Sequence, residues 1–282
     1  MGVSYGEKTK KSYINNKPVR GLENFIGSFL AVVFTPDDLG LVKGQPSLRR
    51  SFTDKYISFQ DKGFISSAVS YRRALKHKSV VLREGRRKEE LLALNAILAK
   101  HGSEVIYKRK LFIEMLNKIS KKYYRKVSGD REILELSYKA KIAGMDRAEI
   151  EENLYRGFDE ALDEEVRAKK SLIGPHRDDI KIEISGVDAR YFASQGQVRS
   201  VVLSLKLAII EMLREKTSDT PVVLLDDVDS ELDRNRKRIF YEELFSGENQ
   251  IFVTGTEISR EVLEMNRTIG KYKVVEGNIS RI

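Results

Sequence analysis

Apolar and polar positions change their period twice along the chain. Over residues 1–40 the pattern is that of strands. SYINNKPV (12–19) places Asn15-Asn16 where a tight hairpin turn belongs. In FLAVVFTPDDL (29–39) the apolar run 29–34 predicts a buried strand stopped by Pro36. From about 41 to 170 apolar residues recur at helical spacing, charges are dense, and Pro46 is the only proline between Pro36 and Pro175. SLRRSFTDKYISF, FISSAVSYRRALKHKSVVL and the long stretch 88–127 each predict helix. In the last of these Leu91, Leu94 and Leu98 share one face, and Asn95 is its single polar interruption. ILELSYKA (133–140) has the character of a strand. Residues 147–170 return to helix, with a basic end (Arg167, Lys169, Lys170) that suits the helix dipole.

After Gly174-Pro175 short strands and helices alternate. DIKIEI predicts a strand turning at Gly186, SQGQVRSVVLSLKLAIIEMLREK a strong helix, and VVLLDD a buried strand. SELDRNRKRIFYEELF predicts a helix with Ser230 as N-cap and Asp233 three residues on, close to a capping box. QIFVTGT predicts another buried strand, ISREVLEM a short helix, and KYKVVEGNISRI a closing hairpin. Strands that alternate with helices imply an α/β layer architecture with parallel pairing. The organisation expected is three segments: 1–40, β-rich; 41–170, mainly helical; and 171–282, alternating.

Composition narrows the classes of function. The 282 residues are 41% hydrophobic and 33% charged, with a net charge of +9, a balance that favours polyanionic partners. Absence of cysteine excludes disulfides and thiolate metal sites. His77, His101 and His176 lack metal-ligand spacing. No apolar run approaches the ~20 residues needed to span a bilayer, and MGVSYGEKTKKSY has no signal-peptide core, so a cytoplasmic chain with no membrane partner is expected.

Two short stretches carry candidate chemistry. In VVLLDDVDSELD (222–233) a buried strand runs into Asp226 and Asp227. Ligands of α/β sheets bind beyond the carboxyl ends of parallel strands. One carboxylate there can hold Mg²⁺ and the next can orient or deprotonate a water. The plain alternative is a strand end entering solvent. In ASQGQVRS (193–200) a hydroxyl residue and a glycine open the long helix, as anion sites do. The plain alternative is an ordinary cap by Ser194. Basic clusters at YRRALKHK (Arg72, Arg73, Lys76), REGRRK (Arg86, Arg87) and KISKKYYRK (Lys121, Lys122, Arg125, Lys126) suit a nucleic-acid surface, the last with tyrosines interleaved. The alternative for each is a solvated helix face with tyrosines in the core.

Taken together, the signature-like loop, long helix, strand, paired aspartates and SELD occur in the order seen in ATP-binding-cassette ATPases. The resemblance narrows to the RecF family, in the SMC-like branch. VVFTPDDLGLVKGQPSLRRSFTD (32–54), SLIGPHRDDI (171–180), SQGQVRSVVLSLKLA and VVLLDDVDSELD all resemble that family's blocks and are spread along most of the chain. The resemblance implies an α/β fold: an ABC-type ATPase core, incomplete at the N-terminus, with a mainly helical insertion lobe. Segments 1–40 and 171–282 would be the ATPase lobe and 41–170 the helical lobe. It implies ATP and Mg²⁺, an ATP-dependent homodimer, and single- and double-stranded DNA at gaps. It also implies other recombination mediator proteins as partners, with roles in repair, replication restart and SOS induction.

Site residues follow from the same resemblance. Asp226 resembles the Walker B magnesium-associated acid, and Asp227 takes the catalytic carboxylate position. Ser194, Gln195, Gly196 and Gln197 resemble the signature, which contacts nucleotide held by the opposite subunit. Asp233 ends the D-loop, and Asp37 lies near the place of the Q-loop. Gly255 stands where transporter-type cassettes have a switch histidine, so Thr254 and Thr256 are the candidates for phosphate sensing. A P-loop, GxxxxGK(S/T), is not in the sequence: Gly270-Lys271 and Gly6-Glu7-Lys8-Thr9 both lack its context. The chain is therefore expected to lack the family's first strands and Walker A segment, to expose a sheet edge that lowers its solubility, and not to hydrolyse ATP alone. The competing expectation is a non-enzymatic DNA-binding scaffold; a transport cassette fits less well, having no switch histidine.

Overall fold

The computed structural model describes residues 2–5, 10–85, 88–217, 219–228, 232–256 and 269–282. Strands β1 (Gly2–Tyr5), β2 (Lys10–Ile14) and β3 (Lys17–Val19) form an antiparallel meander. Asn15 and Asn16 make the β2–β3 turn with φ of 49° and 60°. A two-residue turn with both φ values positive matches the twist of the strands, and asparagine tolerates that conformation. The predicted hairpin is thus present. Strand β4 (Ala31–Phe34) follows, with Val32 and Phe34 buried. Pro36 ends it by opening a short 3₁₀ helix, Pro36–Leu39.

Helices then dominate, as the 3.6-residue period predicts: α1 (Gly40–Lys43), α2 (Pro46–Ser58), α3 (Lys62–Glu84) and α4 (Lys88–Ser128). Asp61 caps α3 by accepting from Phe64 N, and Gly85 ends it in the left-handed conformation that glycine favours. Helix α4 has 41 residues, a length of roughly 60 Å, and takes part in two cores. Its Leu91, Leu94 and Leu98 pack against Tyr71, Val81 and Leu82 of α3 and against Ile150, Leu154 and Phe158 of α5 (Arg147–Glu160). Asn95 is buried among them, with neither amide atom hydrogen-bonded. Its C-terminal half, from Phe112 to Val127, joins the larger core.

Strand β5 (Leu134–Lys139) precedes α5, and α6 (Leu162–Ala168) follows it. Strands β6 (Asp179–Ile184) and β7 (Val187–Asp188) pair antiparallel with β5 in the order β5-β6-β7. The four-residue α7 (Ala189–Phe192) leads into α8 (Gln195–Lys216), which is buried on nearly every face, the mark of a helix at the centre of a domain. Strand β8 (Val222–Asp226), helix α9 (Arg234–Phe245) and strand β9 (Ile251–Thr254) complete a parallel sheet in the order β4-β8-β9. The predicted parallel pairing is therefore found here, while the β5-β6-β7 sheet is antiparallel. Strands β10 (Tyr272–Val275) and β11 (Asn278–Arg281) form the expected closing hairpin.

Two expectations need correction. Helix α9 does not take Ser230 as N-cap: Asp233 is extended and caps the helix itself, its carboxylate accepting from Arg236 N at 3.0 Å. Ser230 lies outside the described residues. The run QIFVTGT is not buried: Phe252 is 51% exposed, because β9 is last in the sheet order and no described element covers it. The predicted helix ISREVLEM lies outside the described residues.

Candidate nucleotide-facing site

The edge formed by the C-terminal ends of β4 and β8 is where this topology gathers polar groups. Both strands point the same way, with Phe34 opposite Leu225. At the end of β8, Asp226 is exposed, and its Oδ1 accepts from Thr254 Oγ1 at 2.7 Å across the β8–β9 pair. Asp227 turns into the left-handed region at φ 50°, and its N–H donates to Thr254 O at 3.2 Å. Aspartate is among the few residues that adopt this conformation readily. The two aspartates thus leave the strand in different backbone states. Thr254, one of the two sensing candidates, is committed to Asp226; Thr256 and Gly255 follow β9 and are exposed.

Asp37 leaves the same sheet edge, in the 3₁₀ turn after β4, and is exposed. Its neighbour Asp38 has the structural part. Asp38 accepts from Thr35 N at 2.8 Å and meets the buried Lys206 Nζ at 2.7 Å. Lys206 also donates to Val33 O at 2.6 Å, so this lysine of α8 fixes the end of β4. Burial pulls its pKa down, and the Asp38 carboxylate opposes that pull.

The signature-like turn is built as a capping box. Ser194 Oγ accepts from Gln197 N at 3.3 Å, and Gln197 Oε1 accepts from Ser194 N at 2.7 Å. Ser194 is thus the cap of a long helix, and it is exposed at that helix's N-terminus. Gln195 is exposed beside it, and Gly196 is half-buried. Gln197 extends further: its Nε2 donates to Glu132 Oε1 at 2.7 Å, and Glu132 Oε2 accepts from the buried Tyr124 of α4 at 2.7 Å. Arg236 of α9 closes the other side. Its Nε donates to Ser200 Oγ at 2.8 Å, and its guanidinium pairs with Asp233. Sequence reasoning missed Glu132, Arg236 and Lys206. Only Arg236 left a signal, three residues after Asp233 on a helix start.

Two carboxylates suit Mg²⁺, which is commonly bound through one or two acids together with phosphate oxygens. The described residues hold no larger cluster of acidic or histidine side chains. Asp226 Oδ1 is taken by Thr254, and the same carboxylate has a second oxygen to offer. The donor type therefore suits the ion, and Asp226 is the residue that would hold it.

The basic clusters divide. Arg73 and Lys76 of α3 are exposed with no ion-pair partner among the described residues, and Arg72 reaches Asp54 at 3.5 Å. Arg86 and Arg87 lie outside the described residues. On α4, Lys121 meets Glu135 at 2.8 Å, Lys122 meets Glu211 at 3.1 Å, and Lys126 pairs with Glu243; Arg125 is exposed. Tyr123 and Tyr124 are buried, their hydroxyls donating to Glu211 and Glu132. The interleaved tyrosines are therefore core residues rather than a stacking surface. Among the described residues no helix is long and apolar enough to cross a membrane.

No family model matches the chain. DNA replication and repair protein RecF of Lactobacillus delbrueckii subsp. bulgaricus is 36% identical over 279 residues, covering 95% of this chain and 73% of that protein. The chain belongs to the RecF family. RecF of Geobacter sulfurreducens is 33% identical over 286 residues, covering 100% of this chain and 78% of its own length. A solved structure of the recombination mediator protein RecF-ATPrS in the RecFOR pathway superposes with a TM-score of 0.88 at 30% identity, covering 99% of this chain and 75% of that one. A second, of RecF-ATP in the same pathway, gives a TM-score of 0.86 at 31% identity, covering 97% and 73%. The ABC-type ATPase core with a mainly helical lobe, expected from the resemblance, is the RecF fold found here.

Proposed function

We propose that this RecF-family chain is a recombination mediator in DNA repair that presents its signature turn to ATP held by a second protomer. One observation carries the reading: Ser194 and Gly196 stand at the N-terminus of a deeply buried helix, clamped from both sides, with Ser194 left facing solvent. A fixed helix N-terminus with an accessible hydroxyl is suited to a γ-phosphate. In this reading Gln195 and Gln197 complete the signature, Asp233 closes the D-loop, Asp226 is the Mg²⁺-associated acid, and Asp227 orients the attacking water. No GxxxxGK(S/T) occurs within these 282 residues, so the cradle for the β- and γ-phosphates is supplied by residues outside this sequence. Phosphoryl transfer is catalysed mainly by positioning and charge stabilisation, so the chain alone is an ATP-inert half-site.

The substrate context proposed is DNA at single-strand gaps, bound by the exposed cations of the helical lobe in concert with other mediator proteins, in repair, replication restart and SOS induction. The test is direct. ATPase activity of the purified chain should equal background, and DNA binding should fall steeply with salt. A rate above background that vanishes in Asp227→Asn would refute the half-site reading. A binding constant unchanged between low and high salt would refute the DNA surface. The second reading is a non-enzymatic DNA-binding scaffold; it requires Ser194→Ala to leave every nucleotide-dependent property untouched.

A further inference from the structure

We propose that Arg236 is a positioning residue that ties the end of the D-loop to the signature turn inside one protomer. The proposal deepens the reading above, since it concerns how the trans-acting face is held. Its geometry involves α8, α9 and the side chains of Asp233, Arg236 and Ser200. Arg236 stands in the first turn of α9, where its N–H donates to Asp233 Oδ1 at 3.0 Å while Nη1 pairs with Oδ2 of the same carboxylate. The guanidinium then reaches α8. Its Nε donates to Ser200 Oγ at 2.8 Å, and that hydroxyl donates onward to Gly196 O at 2.9 Å. Asp233 and the signature glycine are thereby joined through one guanidinium and one hydroxyl.

The glycine has a reason to be there that is independent of backbone conformation. Gly196 has no positive φ, so the turn itself does not demand glycine. A Cβ at 196 would sit 3.2 Å from Arg236 Nη2 and 3.5 Å from Nη1. The guanidinium packs flat against the place where a side chain would be. Lysine cannot replace it: an ammonium is a point donor, whereas the forked guanidinium serves Asp233 and Ser200 at once. Hydrogen bonds to Arg236, first through its amide and then through its guanidinium, hold the Asp233 carboxyl below the usual carboxylate range, so the tie persists in mildly acidic solution. On the opposite side the turn is tied to α4 through Gln197, Glu132 and Tyr124. Arg236 connects the turn to the D-loop side. A movement of Asp233 is then transmitted to the amides that face a phosphate.

Hydrogen–deuterium exchange on the complete chain tests the tie without nucleotide. Arg236→Ala should speed exchange of the 196–200 amides about tenfold, the worth of one charge-assisted hydrogen bond. Arg236→Lys should not rescue it. Ser200→Ala should reproduce the effect, and the double variant should add little to either single, because both remove the same link. Protection unchanged in Arg236→Ala, or full rescue by lysine, overturns the proposal. A second measurement follows ATP- and Mg²⁺-dependent association of the chain with a RecF-family protein that carries a GxxxxGK(S/T) element. Wild type should associate and Arg236→Ala should bind about tenfold more weakly. Failure of the wild type to associate sinks the trans-signature reading and leaves the exchange result to decide Arg236. Association of wild type and Arg236→Ala with equal affinity overturns the positioning role.

Discussion

Lowering the pH from 7 to 5 should weaken the fold through a single imidazole. His176 belongs to GPHRDD (174–179), the segment that runs into β6. Its Nδ1 lies 2.6 Å from the Tyr71 hydroxyl, and its Nε2 faces Ser171 O at 3.5 Å. The neutral ring suits both neighbours, with Nδ1 accepting from the tyrosine and Nε2–H directed at the carbonyl. Burial disfavours the imidazolium most; the Ser171 carbonyl opposes that, while Arg177, Arg50 and Lys78 reinforce it. The result is a pKa lowered from 6.5 to about 4. Between those values the unfolded chain binds a proton that the folded chain does not, so stability is lost as pH falls through the window. The loss is about 2 kcal/mol between pH 7 and 5 and about 3 kcal/mol by pH 4. Urea unfolding of wild type and His176→Asn at both pH values isolates it. Other titrating groups act equally in the two chains, and the asparagine amide can still accept from Tyr71. Wild type should lose about 2 kcal/mol more than the variant. Equal losses would show that His176 protonates as easily in the fold as outside it, and the argument would fail.

Three further outcomes are expected. Lys78 and Glu165 form an ion pair of 2.5 Å with no solvent exposure, and Glu165 also accepts from Ser171 Oγ and Leu172 N. Lys78→Met should cost about 3–5 kcal/mol in chemical denaturation by stranding that carboxylate, and adding Glu165→Gln should recover part of it; a double variant no more stable than the single contradicts this. Asn95→Leu, which removes two unpaired buried polar atoms, should raise stability by about 1–2 kcal/mol, and a lower melting temperature would count against it. Arg73→Gln/Lys76→Gln should reduce the salt dependence of DNA binding by about two phosphate contacts. Lys121→Gln/Lys122→Gln should change it less, because Glu135 and Glu211 already offset those charges; the opposite ranking refutes the assignment.

What can be read from the sequence here is what is local. The cap at Ser194 is visible because S-x-x-Q spans a single turn, and the edge at Asp226 because an apolar run stops there. The start of α9 is local as well, yet Ser230 and Asp233 each precede a partner by three residues, and the pattern cannot say which takes the extended backbone. Apolar character alone also misplaced β9, since burial of IFVT depends on what covers both faces of the sheet. Glu132 lies 65 residues from Gln197, and Lys206 lies 173 from Val33. No window along the chain holds either pair. The same distance hides the acids that offset KKYYRK: Glu211 is 89 and Glu243 is 117 residues from their lysines.

The three lysine pairs of α4, to Glu135, Glu211 and Glu243, also show which forces hold this helix to the site. Each joins the last turns of α4 to β5, α8 or α9, and each is at least partly exposed. Exposed pairs contribute about 0–1 kcal/mol apiece. Burial of one large side chain contributes about 1.5–3 kcal/mol, and Phe112, Ile113, Leu116, Tyr123, Tyr124 and Val127 are all buried against the same elements. The attachment of α4 therefore rests on apolar packing, and the ion pairs set the charge of its surface. Tyr124 belongs to that packing, and it carries the bond through Glu132 to the signature turn.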